Sequence, residues 1–289
     1  MTALQVRGEI LDVRKAGAYS VITTTAPGIP EQVVPGHFVS IATGSPDTGL
    51  VLRRVFSIHG AQTRGVFGGT IDIVVSPHGP GTQWLAGRSK RDIIDVVGPL
   101  GRPFSLPRQP VGCILVGGGY GSAPLFMLAD QLRQRGSRVD MVLGAARAER
   151  IFGHLDGKRA SSSLTVTTED GSLGETGRVT DVLPDVIDRT KATVVYACGP
   201  MGMLKAVYEV ASGLGLHVQV SVEEHMACGF GVCMTCVLPV IGDDGVTRMV
   251  RSCVDGPAFH GHRVRWDALG TVPPDALGAP QPAPERVTP

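Results

Sequence analysis

The stretch Met226-Ala-Cys-Gly-Phe-Gly-Val-Cys-Met-Thr-Cys236 carries three cysteines in the spacing C-x4-C-x2-C. A fourth cysteine follows after sixteen further residues. Plant-type sites hold a [2Fe–2S] cluster with this kind of spacing, whereas a zinc site usually has two short C-x2–4-C pairs and this chain has one. The spacing therefore favours an iron–sulfur cluster over structural zinc. The four expected ligands are Cys228, Cys233, Cys236 and Cys253.

The residues around these cysteines support a loop that wraps a cluster. Gly229 and Gly231 have no Cβ, so the backbone between the first two cysteines can approach inorganic sulfide closely. Glu223 and Glu224 precede the loop, and we expect them to be a solvated acidic pair without a catalytic role.

The composition is that of a globular protein of one to three domains. The chain has 289 residues, of which 43% are hydrophobic and 18% charged, and its formal net charge is +1. No block of Lys or Arg suggests nucleic acid or a membrane surface as a partner. Residues 1–10 carry charges and lack the apolar stretch of a signal peptide, so we expect no signal peptide. No apolar run approaches the length of a membrane span, and we expect a cytoplasmic protein. Cys113 and Cys198 lie in apolar runs and are expected to be small buried hydrophobic residues.

Upstream of the cysteine loop, residues 107–218 alternate between apolar strands and helix-like stretches. The apolar runs lie at 113–116, 139–143, 164–168 and 193–197. Strands that alternate with helices in this way predict a doubly wound parallel sheet.

A glycine-rich turn, Val116-Gly-Gly-Gly-Tyr-Gly-Ser-Ala-Pro124, connects the first of these strands to a helix predicted over 124–135. Glycines at such a turn let the backbone approach a pyrophosphate, and the helix N-terminus supplies N–H groups. Taken alone, the motif is also compatible with an ordinary tight turn. The second strand ends in Gly144-Ala-Ala-Arg147, which has no acidic residue for a ribose. The sequence therefore indicates a nucleotide but not its ribose partner.

The first 106 residues read as short β segments separated by Gly and Pro, for example at 19–24, 37–42, 56–59 and 70–75. Regularly spaced short strands predict a closed or nearly closed antiparallel β-barrel. The predicted fold is a multidomain β and α/β protein with a barrel at 1–106, a sheet domain at 107–218 and a small cluster module at 219–266. Residues 267–289 are rich in Pro, Ala and Gly and are expected to form a disordered tail.

Three further motifs are weak signals when each is taken singly. Arg54-Val-Phe-Ser57 offers an arginine for a phosphate, although an exposed arginine is usually only solvated. Gly79-Pro-Gly-Thr82 opens a short predicted helix, whose N–H groups suit a second phosphate. Cys198-Gly-Pro-Met201 follows the fourth apolar strand at the edge where ligands bind, and an ordinary strand-ending turn explains it equally well.

In order along the chain, these segments resemble the ferredoxin–NADP reductase superfamily, in which a flavin barrel precedes a nicotinamide domain. The resemblance includes Gly36-His-Phe-Val39, Leu52-Arg-Arg-Val-Phe-Ser-Ile58 and Gly98-Pro-Leu-Gly-Arg-Pro-Phe104. Two C-terminal segments, Ser221-Val-Glu-Glu-His-Met-Ala-Cys-Gly-Phe-Gly-Val-Cys233 and Ser252-Cys-Val-Asp-Gly-Pro-Ala-Phe259, resemble more narrowly the electron-transfer subunits of NAD-dependent (class 1B) dihydroorotate dehydrogenases. The resemblance extends over residues 5–266, nearly the whole chain.

The resemblance implies an electron-transfer protein with FAD, NAD(H) and a [2Fe–2S] cluster, and no catalytic acid–base side chain. Its FAD positions fall on Arg54, Val55, Phe56, Ser57, Val74, Val75, Ser76, Gly81 and Thr82. Its nicotinamide-nucleotide positions fall on Gly117, Gly118, Gly119, Gly121, Cys198, Gly199, Pro200 and Met201. It also implies a hetero-oligomer with an FMN-containing catalytic subunit that oxidises dihydroorotate, and hence a role in pyrimidine biosynthesis.

Four positions depart from the family's usual residues. Val55 replaces a proline, Ser76 a basic residue, His37 a glutamine and His225 an arginine. The change at Ser76 removes a phosphate partner, yet the set as a whole still predicts FAD binding.

Three alternative functions remain open at the level of the sequence. One is the corresponding subunit of a bifurcating ferredoxin–NADP oxidoreductase or a hydrogenase, because the same motifs occur there. A second is an oxygenase reductase with a C-terminal ferredoxin domain, which normally needs more chain than residues 219–266 provide. The third is a zinc-stapled, non-enzymatic binding module. Neither the redox partner nor the choice between NAD and NADP follows from the sequence.

Overall fold

A computed structural model describes residues 2–45, 47–65 and 68–280. Its N-terminal part is a closed antiparallel barrel with the strand order β1-β2-β5-β4-β3-β6. Pairing of Leu4 with Gly98 joins the first strand to the last. The strands are β1 (Leu4–Ala16), β2 (Tyr19–Thr25), β3 (Phe38–Ile41), β4 (Arg54–Gln62), β5 (Thr70–Val75) and β6 (Ile93–Leu100), and helix α1 (Pro80–Ala86) lies between the last two.

Buried and less buried side chains alternate along the barrel strands, which explains why the barrel closes around an aliphatic core. Ile71 and Ile73 of β5 are fully buried, and Asp72 between them lies on the opposite face. Because successive side chains of a strand point to opposite faces, this pattern fills the interior with isoleucine and valine, including Ile10, Ile22, Ile41, Val75 and Val96.

A mixed sheet of seven strands follows, in the order β10-β9-β8-β7-β11-β12-β15. Its parallel strands are β7 (Gly112–Gly118), β8 (Arg138–Ala145), β9 (Ser163–Thr168), β10 (Glu175–Thr176), β11 (Val194–Cys198) and β12 (His217–Ser221). The connecting helices are α2 (Leu125–Gln134), α3 (His154–Ala160), α4 (Val179–Thr190) and α5 (Met201–Gly213). Short 3-10 turns cover Pro30–Gln32, Gly119–Ser122, Ala148–Arg150 and Gly261–Arg263.

The central strand β7 is apolar on both faces, as a strand covered by helices on both sides must be. Cys113 and Leu115 pack in one core with α2 and α3, whereas Ile114 and Val116 pack in a second core with α4 and α5. The predicted doubly wound sheet is therefore confirmed, and so is the predicted barrel. The buried state of Cys113 and Cys198 is confirmed as well.

The cysteine segment is built onto both preceding domains rather than set apart from them. It contains a hairpin of β13 (Val237–Ile241) and β14 (Thr247–Arg251), then α6 (Ser252–Asp255) and β15 (Ala258–His260). Strand β15 pairs antiparallel with β12 at the edge of the seven-stranded sheet. The expected boundary at residue 219 therefore falls within β12, since the C-terminal segment supplies a strand to the sheet.

Residues 267–280 differ from the expected disordered tail. Arg265 forms ion pairs with Asp267 at 3.1 Å and Asp275 at 2.7 Å. The N–H of Leu277 donates to the Thr247 carbonyl at 2.8 Å, and Ala276 is buried. These contacts hold the segment against β14. The remainder of the expected tail, residues 281–289, lies outside the described residues. Among the described residues, no helix has both the length and the apolar character needed to cross a membrane.

We predict that Phe259→Ala weakens the junction between β15 and β12. The Phe259 side chain is buried in the core shared with α4 and α5, and truncating a buried phenylalanine costs about 3 kcal/mol. The urea unfolding midpoint should therefore fall. Leu214→Ala, at a residue that is 53% exposed, is the matched control and should leave the midpoint unchanged; equal midpoints for both variants would contradict the assigned packing.

Candidate functional site

A cleft, here called the barrel cleft, lies between the barrel and the carboxyl edge of the sheet. Its volume is about 350 Å³, within the range of small-molecule sites. Its barrel wall comprises Phe38, Arg54, Val55, Phe56, Ser57, Val74, Ser76, His78 and Thr82. Its other wall comprises Tyr120, Gly121, Ala123, Cys198, Gly199, Ser221, Val222, Glu223, Glu224, His225, Met226 and Pro257.

Arg54 lies against the start of α1, where the chain can approach it only because residue 81 is glycine. A Cβ on Gly81 would lie 2.9 Å from Arg54 Nε. Arg54 Nη1 donates to the Leu52 carbonyl at 2.8 Å. The hydroxyl of Thr82 accepts the Gly79 N–H at 3.0 Å. A guanidinium and the first turn of a helix thus share one wall, and both are groups that bind phosphate.

A second cleft, the sheet cleft, lies over the carboxyl ends of β7, β8, β9 and β11, and has a volume of about 440 Å³. In the sheet, β7 lies between β8 on one side and β11 on the other, so the chain builds the sheet outward from β7 in both directions. Ligands bind at such a switch point because the connections diverge there. The lining residues include Gly118, Gly119, Tyr120, Ala145, Ala146, Arg150, Thr167, Glu169, Arg178, Pro200, Met203 and Glu223.

The two glycine-containing turns predicted from the sequence meet at this switch point. A Cβ on Gly121 would lie 2.6 Å from Gly199 Cα and 2.8 Å from the Cys198 carbonyl oxygen. A Cβ on Gly118 would lie 2.6 Å from Met203 Sδ. The first turn and the Cys198-Gly-Pro-Met201 turn therefore pack backbone against backbone, which explains the glycines independently of any ligand.

The sequence shows no acidic residue for a ribose at the end of β8, but the structure brings one into the sheet cleft from the end of β9. Glu169 follows β9 and lines the sheet cleft, whereas Arg147 pairs with Glu149 at 3.5 Å and is absent from the lining. The buried Thr167 hydroxyl, also in the lining, has no hydrogen-bond partner among the described residues. An unpaired buried hydroxyl fits a polar ligand at this position.

Tyr120 and Glu223 stand where the two clefts meet, since both residues line both clefts. The Tyr120 hydroxyl donates to Glu223 Oε1. Burial and the neighbouring Glu223 carboxylate raise the pKa of Tyr120 above its ordinary range. Tyr19 of the barrel packs edge-on against the Tyr120 ring, with centroids 5.8 Å apart. Glu223 is exposed as expected. Its carboxylate also accepts the hydrogen bond from Tyr120, which the sequence did not predict.

The four cysteines predicted from spacing are neighbours, although they come from two separate segments. Cys253 lies beside Cys236 and Cys228, and Cys233 lies beside Cys228. Within the part of the chain that the structure describes, no three side chains of His, Cys, Asp or Glu form a group that could hold a metal ion. The sulfurs lie in two neighbouring pairs instead, Cys228 beside Cys233 and Cys236 beside Cys253, and all four thiols are free.

The loop between these cysteines fits a sulfide-containing cluster. Gly229 and Gly231 have φ values of +83° and +87°, which side chains rarely adopt. The Val232 N–H donates to Cys228 Sγ at 3.4 Å, and the Thr235 hydroxyl donates to Cys233 Sγ at 3.1 Å. Donors directed at cysteine sulfur are characteristic of protein-bound iron–sulfur clusters. The residues present therefore fit the group that their spacing predicts.

The two pairs of cysteines differ in environment. Burial raises the pKa of the Cys253 thiol to about 12. The Thr235 hydrogen bond, with backbone N–H groups, lowers the pKa of the exposed Cys233 thiol to about 6. A metal is bound by thiolate rather than thiol, so the exposed sulfur is ready to bind whereas the buried one depends on the metal charge.

The cysteine group and the barrel cleft share one wall. Cys236 and Cys253 pack in a small apolar cluster with Phe38, Val55 and Met226, and these last three residues also line the barrel cleft. The hydroxyl of Ser40 on β3 donates to the Cys228 carbonyl at 2.9 Å. One layer of side chains therefore separates the two sites.

Four of the predicted cofactor positions do not line either cleft. Val75 is fully buried in the barrel core because it alternates with Val74 along β5. Gly81 lies behind Arg54, and Gly117 packs against Ser122. Met201 begins α5 next to the lining residue Pro200. The other predicted positions are lining residues.

The departure at residue 37 is accommodated inside the protein. His37 is buried, and its Nδ1 accepts the Val34 N–H at 3.2 Å. Burial lowers the pKa of His37 to about 4, so the ring is neutral at pH 7. Ser76 and His225 line the barrel cleft.

Comparison with known proteins identifies two modules. A family model described as the iron–sulfur cluster binding domain of dihydroorotate dehydrogenase B matches residues 223–265. A model described as the oxidoreductase NAD-binding domain matches residues 115–209.

Full-length relatives agree with both modules. The chain is 34% identical over 276 residues to a probable dihydroorotate dehydrogenase B (NAD(+)) electron transfer subunit of Methanopyrus kandleri, covering 96% of this chain and 98% of the relative. It is 39% identical over 232 residues to the electron transfer subunit of Geobacillus thermodenitrificans, covering 80% and 86%. A chain from the structure of the NADH-dependent reduced ferredoxin–NADP oxidoreductase matches with a TM-score of 0.77 and 32% identity, covering 91% of each chain.

We predict that Gly121→Ala separates the two turns at the switch point. Its Cβ would meet the backbone of Gly199 and Cys198, and relieving such overpacking costs about 2 kcal/mol. Thermal unfolding should begin earlier, and less flavin should remain bound after gel filtration. Gly213→Ala, where a Cβ meets nothing within 4 Å, is the control; a Gly121→Ala protein as stable and as yellow as the parent would contradict the contact.

Proposed function

The chain belongs to the family of dihydroorotate dehydrogenase B electron transfer subunits, and we propose that it carries electrons from a dihydroorotate-oxidising partner to NAD. The observation that carries the proposal is the wall shared by the barrel cleft and the cysteine group, formed by Phe38, Val55 and Met226. Two redox groups on either side of such a wall are close enough to exchange electrons without moving.

The cofactors implied by the family are FAD, a [2Fe–2S] cluster and NAD(H). FAD supplies two-electron exchange with a nicotinamide and one-electron exchange with a cluster. In our proposal Arg54 and Thr82 hold the FAD phosphates, while Val55, Phe56 and Ser57 position the ring. Cys228, Cys233, Cys236 and Cys253 hold the cluster.

The nicotinamide nucleotide is proposed to bind in the sheet cleft and to extend toward the barrel cleft. The glycine-rich turn and Pro200 line the sheet cleft, and Tyr120 and Glu223 mark the passage between the two clefts. Buried Cys198 lies on the barrel-cleft side, where burial raises the pKa of its thiol to about 12. It is therefore a neutral packing group beside the passage rather than a nucleophile.

The partner is proposed to cover the exposed face of the cysteine loop. Phe230, Val232 and Met234 are 45%, 74% and 52% exposed, and they flank the exposed Cys233. Apolar side chains clustered at the surface mark interaction sites. A catalytic subunit docked there would approach the cluster directly. All six cysteines are free, which suits a reducing compartment, and we propose that the complex works in the cytoplasm.

Purified alone, the chain is expected to pass electrons from NADH to an artificial acceptor and to be inert toward dihydroorotate. Dihydroorotate oxidation should appear only when an FMN-containing catalytic subunit is added. Iron and acid-labile sulfide should each be about two per chain. Cys233→Ser should lose or perturb the cluster and the coupling to the partner, yet keep the NADH-dependent activity of the flavin.

Oxidation of dihydroorotate by the chain alone would overturn its role as a subunit. Zinc without sulfide, together with a colourless protein, would replace the cluster with a structural metal. A strong preference for NADPH would move the assignment toward a subunit of a bifurcating ferredoxin–NADP oxidoreductase, the kind of enzyme whose structure matches with a TM-score of 0.77.

We further predict that Glu169 disfavours NADPH. Glu169 lines the sheet cleft, where an acidic residue suits a ribose hydroxyl and repels a 2′-phosphate. Two like charges about 4 Å apart in water repel by about 1 kcal/mol, so Glu169→Gln should lower the KM for NADPH about fivefold. Glu175→Gln, at an exposed carboxylate outside that lining, should leave it unchanged. An unaltered KM in the Glu169 variant would remove the residue from the nucleotide site.

A further inference from the structure

The four cysteine sulfurs receive unequal hydrogen bonding. Cys236 and Cys253 are 1% and 2% exposed and pack among apolar side chains. Cys228 is half-buried and accepts a backbone N–H from Val232 at 3.4 Å. Cys233 is exposed and accepts a side-chain hydroxyl, that of Thr235, at 3.1 Å. The last of these contacts depends on the identity of a side chain, so a substitution can remove it without altering the backbone.

The backbone between the two residues directs the Thr235 hydroxyl back toward the preceding cysteine. Met234 has a φ of +58°, which reverses the chain between Cys233 and Thr235. Its side chain is 52% exposed, so it occupies solvent rather than the space between hydroxyl and sulfur. The donor and acceptor are thus two residues apart on a tight turn, and their contact does not rely on any distant element.

We infer that Thr235 raises the reduction potential of the cluster by hydrogen bonding to the Cys233 sulfur. This inference rests on the proposed function, in which the four cysteines hold a [2Fe–2S] cluster. One-electron reduction, for example by dithionite, adds one negative charge that is spread over iron, sulfide and cysteine sulfur. A hydrogen bond strengthens as the charge on its acceptor grows, so the hydroxyl stabilises the reduced state more than the oxidised state. Hydrogen bonds to the sulfurs are among the factors that set such potentials.

The position of Thr235 makes it a positioning and tuning residue rather than a ligand. It touches a cysteine sulfur through its hydroxyl while the four thiolates bind the metal. Because Thr235 lies beside the exposed Cys233 and not against Phe38 or Val55, its influence falls on the cluster and leaves the barrel cleft unaffected. The FAD potential is therefore an internal reference within the same molecule.

The test compares Thr235→Val, which keeps the shape and removes the hydroxyl, with Thr235→Ser, which keeps the hydroxyl and removes a methyl group. Each holoprotein is titrated potentiometrically under anaerobic conditions, with the reduced cluster followed by electron paramagnetic resonance and FAD by absorbance. At the ambient potential that half-reduces the native cluster, the ratio of reduced to oxidised cluster in Thr235→Val should fall about fivefold. This corresponds to about 40 mV, because a tenfold change for one electron is about 59 mV.

The serine variant should keep the native cluster potential, and all the proteins should share one FAD potential. An unmoved cluster potential in Thr235→Val would overturn the inference, and so would an equal shift in Thr235→Ser, since that would trace the effect to packing. If Thr235→Val is purified without a cluster, Thr235→Ala replaces it with the same expected shift. Native protein without iron and sulfide would instead refute the proposed function, which keeps the two failures distinct.

Discussion

The packing of the cysteine group against the barrel is the contact on which the rest of this molecule depends. Phe38, Val55 and Met226 belong at once to the apolar cluster around Cys236 and Cys253 and to the lining of the barrel cleft. The Ser40 hydroxyl holds the Cys228 carbonyl on the same barrel strand. Because these side chains come from β3, β4 and the cysteine loop, no single element could fix the separation of the two sites. The replacement of the family's usual proline by Val55 falls in this wall, and its branched side chain still fills it.

A second junction lies at the carboxyl edge of the sheet, where two turns pack together through backbone contacts rather than side-chain contacts. Gly121 and Gly199 approach so closely that a Cβ would collide, and both clefts open from this point. Tyr120 and Glu223 join the glycine-rich turn to the segment that leads into the cysteine loop. Tyr19 connects the barrel to this junction, because its ring packs against Tyr120 and its hydroxyl donates to the Arg150 carbonyl at 2.9 Å. Barrel, sheet and cysteine segment therefore meet at one place, and our proposal brings the nicotinamide to the flavin there.

The cysteine loop combines a buried side, which faces the barrel, with an exposed side. On the buried side, burial raises the pKa of the Cys253 thiol, so its thiolate depends on the charge of a bound metal. The exposed sulfur of Cys233 instead accepts a hydrogen bond from the Thr235 hydroxyl, and the exposed apolar residues Val232 and Met234 flank it along the chain. This asymmetry suits a conduit, because electrons must enter through one side and leave through the other.

The sequence by itself determined the features that depend on local spacing. The four cysteines, the alternating barrel strands and the apolar strands of the sheet follow from periodicity and ligand spacing, which act within a few residues. Tertiary structure alone decided the features that join distant segments: the pairing of β15 with β12, the placement of Glu169 in the sheet cleft, the Tyr120–Glu223 bond and the packing of residues 267–280. Val75 is an example of a feature that only the tertiary structure decided. The family resemblance implied a cofactor contact for it, but its place in the alternation along β5 directs its side chain into the barrel core. Long-range pairings of this kind leave no local periodicity, because each partner is chosen by the folded surface that it meets.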